Sequence, residues 1–128
     1  ENKIIRNLAI DNDLTMVDNA EKMPKEDKFF VDSIHYTIDG MKRIAQNIGE
    51  IILSQIPGVS SHTSQVIMNK YGSLYNLLCD LDTNQKCLDD LTYITDSGIE
   101  RRISKTSIRN IVQYLLYQKS NIIVINTN

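Results

Sequence analysis

Leu53-Ser54-Gln55-Ile56-Pro57-Gly58-Val59-Ser60-Ser61-His62-Thr63 is the stretch that decides how this chain folds, because it sets a tight reversal between two apolar-periodic segments. Pro57 fixes its own φ and disfavours helix at Ile56, so the incoming helix has to stop there. Gly58 can take the positive φ that a sharp turn demands. Val59 is then expected to plug the turn into the core, and Ser60 or Ser61 to N-cap the next helix. The first N–H groups of such a helix lack intrahelical acceptors and lie at the positive end of its dipole, a setting that suits a phosphate. A Pro-Gly turn between amphipathic helices also occurs as plain core architecture, so the turn alone does not settle a function.

Downstream, residues 63–69 read as the second helix of this pair, and Ser73 behind Gly72 caps a connector helix reaching Leu81. A short helix is expected over 84–91, a second and longer hairpin over 92–103, and a closing helix from Ser104 to about residue 118. Ile108, Ile111, Val112, Leu115 and Leu116 put an apolar stripe on that last helix wider than one helix pair needs, so it is expected to reach a partner subunit. Ile122-Ile123-Val124-Ile125 has high β-propensity and reads as an ordered arm or a frayed end.

Upstream, Ile4, Ile5, Leu8 and Ala9 recur at helical spacing and predict a short amphipathic helix over 3–10 that docks on something. Residues 11–27 collect Asp, Asn, Glu, Lys and Pro24, and read as a mobile acidic loop. Phe29, Phe30, Val31 and Ile34 favour a strand-like lead-in. Ile38, Met41, Ile44, Ala45, Ile48, Ile51 and Ile52 then mark a helix over 37–55, with Gly40 and Gly49 as weak points where it is expected to break.

Ile56-Pro57-Gly58-Val59-Ser60, followed by a helix and Tyr71-Gly72-Ser73-Leu74-Tyr75-Asn76-Leu77-Leu78, is a helix-hairpin-helix pattern. It resembles the C-terminal region of the XPF-type structure-specific endonucleases, nearest their crossover-junction (fork and flap) branch. The stretch from Cys87 through Gly98 and Arg101-Arg102-Ile103-Ser104-Lys105 to Tyr117 is similar to that family's second, degenerate hairpin and closing helix. The stretch from Lys28 to Ala45 resembles the last strand and helix of its nuclease fold. The resemblance implies a mainly α chain: a tandem helix-hairpin-helix domain preceded by a short helix and a strand left from a nuclease fold. The expected layout is a nuclease-fold remnant with an acidic loop over 1–46, the tandem domain over 47–119 and a C-terminal arm over 120–128.

What the resemblance implies for function is sequence-independent binding of branched or duplex DNA, in repair or recombination, together with pairing as a homodimer or with a related helix-hairpin-helix subunit. Gly58, Val59, Ser60, Ser61, His62 and Lys70 would contact DNA from the first hairpin. Gly98, Arg101, Arg102, Lys105 and Arg109 would do so from the second. Ile111, Tyr114 and Leu115 are expected near the dimer surface. The alternatives are a pure dimerisation module or an inactive partner subunit with little DNA binding. A base-removing enzyme with the same motif needs a catalytic Asp, often with Lys, in a much longer fold, and this chain is too short for it.

Composition sets further bounds. The 128 residues are 41% hydrophobic and 23% charged, which fits one globular unit with a sizeable core. The formal net charge of −2 argues against a protein that coats nucleic acid by bulk electrostatics, so any DNA contact has to rest on local charge and backbone dipoles. No run approaches a membrane span and no signal-peptide pattern opens the sequence. Cys79 and Cys87 are too few for a disulfide framework, are expected to pack as small apolar residues, and suggest an intracellular compartment, the nucleus in a eukaryote.

Nucleases of the resembled family use divalent cations held by a carboxylate cluster, including a Glu-Arg-Lys run followed by Asp. Glu100-Arg101-Arg102 is only superficially similar, since Thr106 stands where the second Asp would fall. No catalytic residue and no metal ligand is expected in this chain, and Mg2+ or Mn2+ is expected in the nuclease domain of the parent protein. His35 and His62 lack ligand-spaced partners, though His62 opens the phosphate-facing helix. The clearest local charge is Arg101, Arg102, Lys105 and Arg109 against Glu100 alone, an island that a solvated helix face would also explain.

Overall fold

Thr37 starts the helix on which the rest is assembled. Its hydroxyl oxygen accepts the Gly40 N–H at 3.1 Å and donates to the Lys28 carbonyl at 2.6 Å, so one side chain both caps the helix and ties it to the preceding segment. The computed structural model describes residues 2–32 and 35–126, with side chains for 3–32 and 35–116. The described chain is mainly helical: α1 (Asn2–Asp11), α2 (Asn19–Lys22), a 3₁₀ turn (Asp27–Phe29), α3 (Ile38–Ser54), α4 (Ser61–Tyr71), α5 (Leu74–Thr83), β1 (Thr92–Ile94), β2 (Glu100–Arg102) and α6 (Lys105–Asn126). Its core gathers Leu53, Ile56 and Val59 around the first turn, Ile67 and Met68 on α4, Leu77 and Leu81 on α5, and Ile103, Ile108 and Ile111 at the start of α6.

α3 runs unbroken through both glycines, and close packing explains why glycine stands there. A Cβ on Gly40 would lie 2.2 Å from the Phe29 carbonyl oxygen, and one on Gly49 would lie 2.2 Å from Sδ of the fully buried Met68. These glycines let a strand-like segment and α4 approach the helix axis. The same contacts rotate α3 away from the expected orientation. The buried positions are Gly40, Asn47, Gly49, Glu50 and Leu53, whereas Ile38, Met41, Ile48 and Ile52 of the expected core stripe are exposed.

The segment before α3 is more structured than its composition implies. Asp18 accepts the Glu21 N–H to cap α2, Met23 is buried, and Asn47 Nδ2 donates to Asn19 Oδ1 at 3.0 Å. Lys22 Nζ lies 3.8 Å from the buried Glu50 carboxylate, and Thr15 donates to Gln55 at 3.2 Å. The expected acidic loop is thus pinned along α3 by polar contacts. Arg6 joins α1 to it through Asp18, and that hydrogen bond holds the Asp18 carboxyl below its ordinary value. The apolar residues Ile4, Ile5 and Leu8 of α1 stay exposed. The strand expected over Phe29–Val31 reduces to a single antiparallel bridge between Phe30 and Tyr36, because the 3₁₀ turn takes up Phe29; Ile34 lies outside the described residues.

Two further expectations are corrected downstream. Residues 84–91 are successive tight turns and not a helix, since Asn84 Oδ1 takes the Lys86 N–H and competes with helix continuation. The segment 92–103 is a two-stranded antiparallel β-hairpin, with Thr92 opposite Arg102, Tyr93 opposite Arg101 and Ile94 opposite Glu100. Thr-Tyr-Ile-Thr has strand propensity, and Gly98 at φ +76° supplies the reversal. At the other end, α6 continues to Asn126 where an arm was expected. The sequence has no Gly or Pro after Gly98, and extending a helix is far easier than nucleating one. Thr127 and Asn128 lie outside the described residues.

Gly40 gives the sharpest check on this packing. Ala normally favours a helix interior by about 1 kcal/mol over Gly, yet the Phe29 backbone cannot move aside as a flexible side chain could. Gly40→Ala is therefore expected to destabilise the protein by about 1–3 kcal/mol in thermal or urea unfolding followed by circular dichroism. A variant as stable as the parent would show that the lead-in segment does not rest on α3.

Candidate functional site

α3 ends as the sequence requires: Gly58 has φ +78°, and Val59, only 7% exposed, is driven into the core by its N–H bond to Ile56. Ser60 caps α4 in extended conformation, its Oγ accepting the Thr63 N–H at 3.1 Å and lying 3.0 Å from Thr63 Oγ1. The start of α6 repeats this arrangement. Ser104 Oγ accepts the Ser107 N–H at 3.0 Å and lies 2.8 Å from Ser107 Oγ. The residue before each cap is buried (Val59, Ile103), and so is the residue seven positions after it (Ile67, Ile111).

The two helix starts meet. Ser107 Oγ donates to the Gly58 carbonyl at 2.6 Å and Asn110 Nδ2 to the Pro57 carbonyl at 2.7 Å, so the first turn of α6 is fixed to the turn between α3 and α4. Gly58, Ser60, Ser61 and His62 are exposed here, while Val59 offers only its backbone. His62 stacks edge-on against Tyr93 of β1, with ring centroids 4.7 Å apart. Tyr93 pairs with Arg101, so both project from one face of the β-hairpin and His62 is brought to that face. Gly98 sits exposed at the hairpin tip.

Arg102 alternates to the opposite face of β2. There a cavity of about 490 Å3 is lined by Lys86, Arg102, Lys105 and Arg109 over an apolar floor of Ile108 and Val112. Asp89 also lines it, and Asp90 lies 3.7 Å from Arg102, so part of the positive charge is balanced. Glu100 accepts a hydrogen bond from Thr92. The expected basic residues thus divide between two faces, with Arg101 and His62 on one and Arg102, Lys105 and Arg109 on the other.

Lys70 stands apart from both groups. It lies at the far end of α4, ten residues and about 15 Å of helix from Ser60. Its Nζ donates to the Cys87 carbonyl at 3.3 Å and lies over the Tyr71 ring. Tyr71 in turn donates to Asp80 at 2.7 Å, and burial pushes its hydroxyl well above the ordinary value, so it remains a donor at neutral pH. This network ties α4, α5 and the 84–91 turns together. Burial likewise raises the Cys87 thiol, whereas Cys79, expected to pack inside, is exposed on α5.

Two residues of this region escaped the sequence reading. Tyr93 was visible only as part of an alternating Thr-Tyr-Ile-Thr strand followed by Asp-Ser-Gly, and Lys86 was assigned to a helix that does not form. Ile111, expected at a partner surface, is fully buried because it fills the chain's own core beside Ile67 and Leu77; Leu115 is half-buried and Tyr114 exposed. Among the described residues no three His, Cys, Asp or Glu side chains group closely enough to hold a metal ion. Also among these residues, no helix is long and apolar enough to cross a membrane. Comparison with protein-family models, with curated proteins and with solved structures gave no match to this chain.

The turn geometry predicts the effect of one substitution. Gly58→Val puts a β-branched residue at positive φ, with its Cβ 3.3 Å from Asn110 Nδ2, and is expected to cost about 1–3 kcal/mol. Unfolding in urea measures this. An unchanged midpoint would mean that the turn does not need the left-handed conformation.

Proposed function

We propose that α3–α4 and the β-hairpin–α6 unit act as a tandem helix-hairpin-helix module that binds branched or duplex DNA through its sugar-phosphate backbone, without reading base sequence. The observation that carries this reading is the repeated helix start. Ser60 and Ser104 cap their helices with the same side-chain geometry, and the Ser107 and Asn110 bonds hold the two starts together. Two neighbouring helix N-termini present free N–H groups and positive dipole ends to one anionic ligand. The second unit is divergent, with β1 and β2 standing where the first has a six-residue connection between α3 and α4. Arg101 and His62 flank one side of the pair, and Lys105 and Arg109 the other.

Binding on this basis is indifferent to sequence and sensitive to salt. In fluorescence anisotropy, a fork and a scrambled fork of the same shape should bind equally, with affinity falling steeply as salt rises. Lys105→Gln and Arg109→Gln should each weaken every sequence alike and lower the log–log salt slope by about one. A preference among sequences of identical shape would overturn backbone recognition.

The module also pairs with a second copy or a related subunit. Ile48 and Ile52, one turn apart on α3, and Tyr114 on α6 are exposed and supply the apolar surface for this pairing, in place of the enclosed Ile111. Ile52→Glu should leave the fold intact and shift a dimer towards monomer in light scattering across a concentration series, because an unpaired carboxylate in an interface costs several kcal/mol. A parent protein that is monomeric at high concentration and takes up no related subunit would sink this part of the proposal.

A further inference from the structure

The tip of the β-hairpin carries two large apolar side chains that the core does not use. Ile94 is 63% exposed and Ile99 53% exposed, whereas Leu91, Tyr93 and Ile103 of the same segment pack on the core. The pairing of Thr92 with Arg102 and Tyr93 with Arg101 continues to Thr95 and Ile99, since the Thr95 N–H bonds to the Ile99 carbonyl at 2.9 Å. Side chains alternate along each strand, so Ile99 shares a face with Arg101 and Tyr93, and Ile94, opposite Glu100, shares the other face with Arg102. Each face therefore has an isoleucine near the tip and an arginine behind it. The separation is two residues, about 7 Å, which is the rise of two nucleotides along a B-form strand.

The tip is held in a fixed shape and place. The Gly98 N–H bonds to the Thr95 carbonyl at 2.8 Å and the Ile99 N–H to Thr95 Oγ1 at 3.1 Å, which closes the loop Asp96-Ser97-Gly98. At the base, buried Ile103 and the contact between Tyr93 and His62 fix the hairpin beside the start of α4. Its charges are ordered too. Asp96 is exposed in the loop and Glu100 follows Ile99, so the tip is acidic and the arginines begin only behind it. Asp90, 3.7 Å away, balances part of the charge of Arg102. Phosphates repel the carboxylates of the tip and keep it off an intact sugar-phosphate ridge, while each arginine attracts a strand on its own side. DNA meets both conditions where its strands part: base-pair faces open in front of the tip, and phosphates diverge along its flanks.

We infer that the hairpin inserts at the branch point of branched DNA, with Ile94 and Ile99 each covering the end of a stacked arm and Arg102 and Arg101 taking phosphates of the strands that leave on either side. The inference rests on the backbone binding proposed above and narrows its substrate to DNA with a junction. Apolar side chains inserted between bases are a recurrent device of proteins that bend or open DNA, and the unstacking they require costs least where stacking is already interrupted.

The test measures binding of the full chain by fluorescence anisotropy, at one salt concentration, to a fork and to a continuous duplex with the same number of nucleotides. The parent should bind the fork about tenfold more tightly, the effect expected from covering two isoleucines that are more than half exposed. Ile94→Ser combined with Ile99→Ser should abolish that preference and leave duplex affinity unchanged; both side chains lie outside the core, and an unchanged melting temperature checks the fold. In a fork with 2-aminopurine at the branch-point pair, fluorescence should rise on adding the parent and stay level with the double variant. The inference is overturned, with the backbone reading left standing, if the parent binds duplex and fork equally, if it leaves the 2-aminopurine signal unchanged, or if the folded double variant keeps the fork preference. Binding to neither DNA removes both. A double variant that binds both DNAs like the parent but self-associates less in light scattering assigns the tip to a protein contact, and this overturns the inference as well.

Discussion

Everything in this fold depends on how the carbonyls of the first turn are satisfied. Gly58 and Pro57 reverse the chain, and side chains 49 and 53 residues further on, Ser107 and Asn110, donate to their carbonyls. Each such bond contributes about 1 kcal/mol net. Full burial of a side chain such as Ile67, Leu77 or Ile111 contributes about 1.5–3 kcal/mol. Apolar burial therefore supplies the stability, and the two hydrogen bonds fix the position of α6 on the turn.

That constraint also arranges the proposed DNA surface. With α6 fixed to the turn, its capped start lies beside the capped start of α4, and the β-hairpin is carried along because Ile103 is buried and its N–H bonds to the Leu91 carbonyl. Tyr93 then meets His62, and Arg101, opposite Tyr93, comes to the same face. A chain of net charge −2 can in this way bring several cations near two helix N-termini without being basic overall.

α3 links this surface to the rest of the chain, and before its last turn it keeps small and polar residues on its closely packed face. Small and polar residues, Gly40, Gly49 and Asn47, face inward, where close approach to Phe29 and Met68 leaves no room for isoleucine. Ile38, Met41, Ile48 and Ile52 are left outside. An exposed apolar stripe on an otherwise well-packed helix is a surface suited to another apolar face, which is why the proposed pairing is placed there and at Tyr114.

Where local chemistry is decisive, the sequence by itself determined the outcome. Pro57 and Gly58 forced the turn, Ser60, Ser73 and Ser104 capped their helices, Thr37 and Gln55 bounded α3, and Ile108 and Val112 faced inward. These depend on one residue's dihedrals or on neighbours within a turn, so a linear reading reaches them. Only the tertiary structure decided the features that depend on which surface meets which. Periodicity identifies the Ile stripe of α3 but cannot report that Gly49 invites Met68 closer than any isoleucine would. The 84–91 turns and the β-hairpin followed from Asn84 capturing a local N–H and from strand propensity around Gly98, signals present in the sequence but outweighed by an expected helix pair. The division of Arg101 from Arg102 and the joining of His62 to Tyr93 both require knowing where the second element of each contact lies, and only the packed core sets that distance.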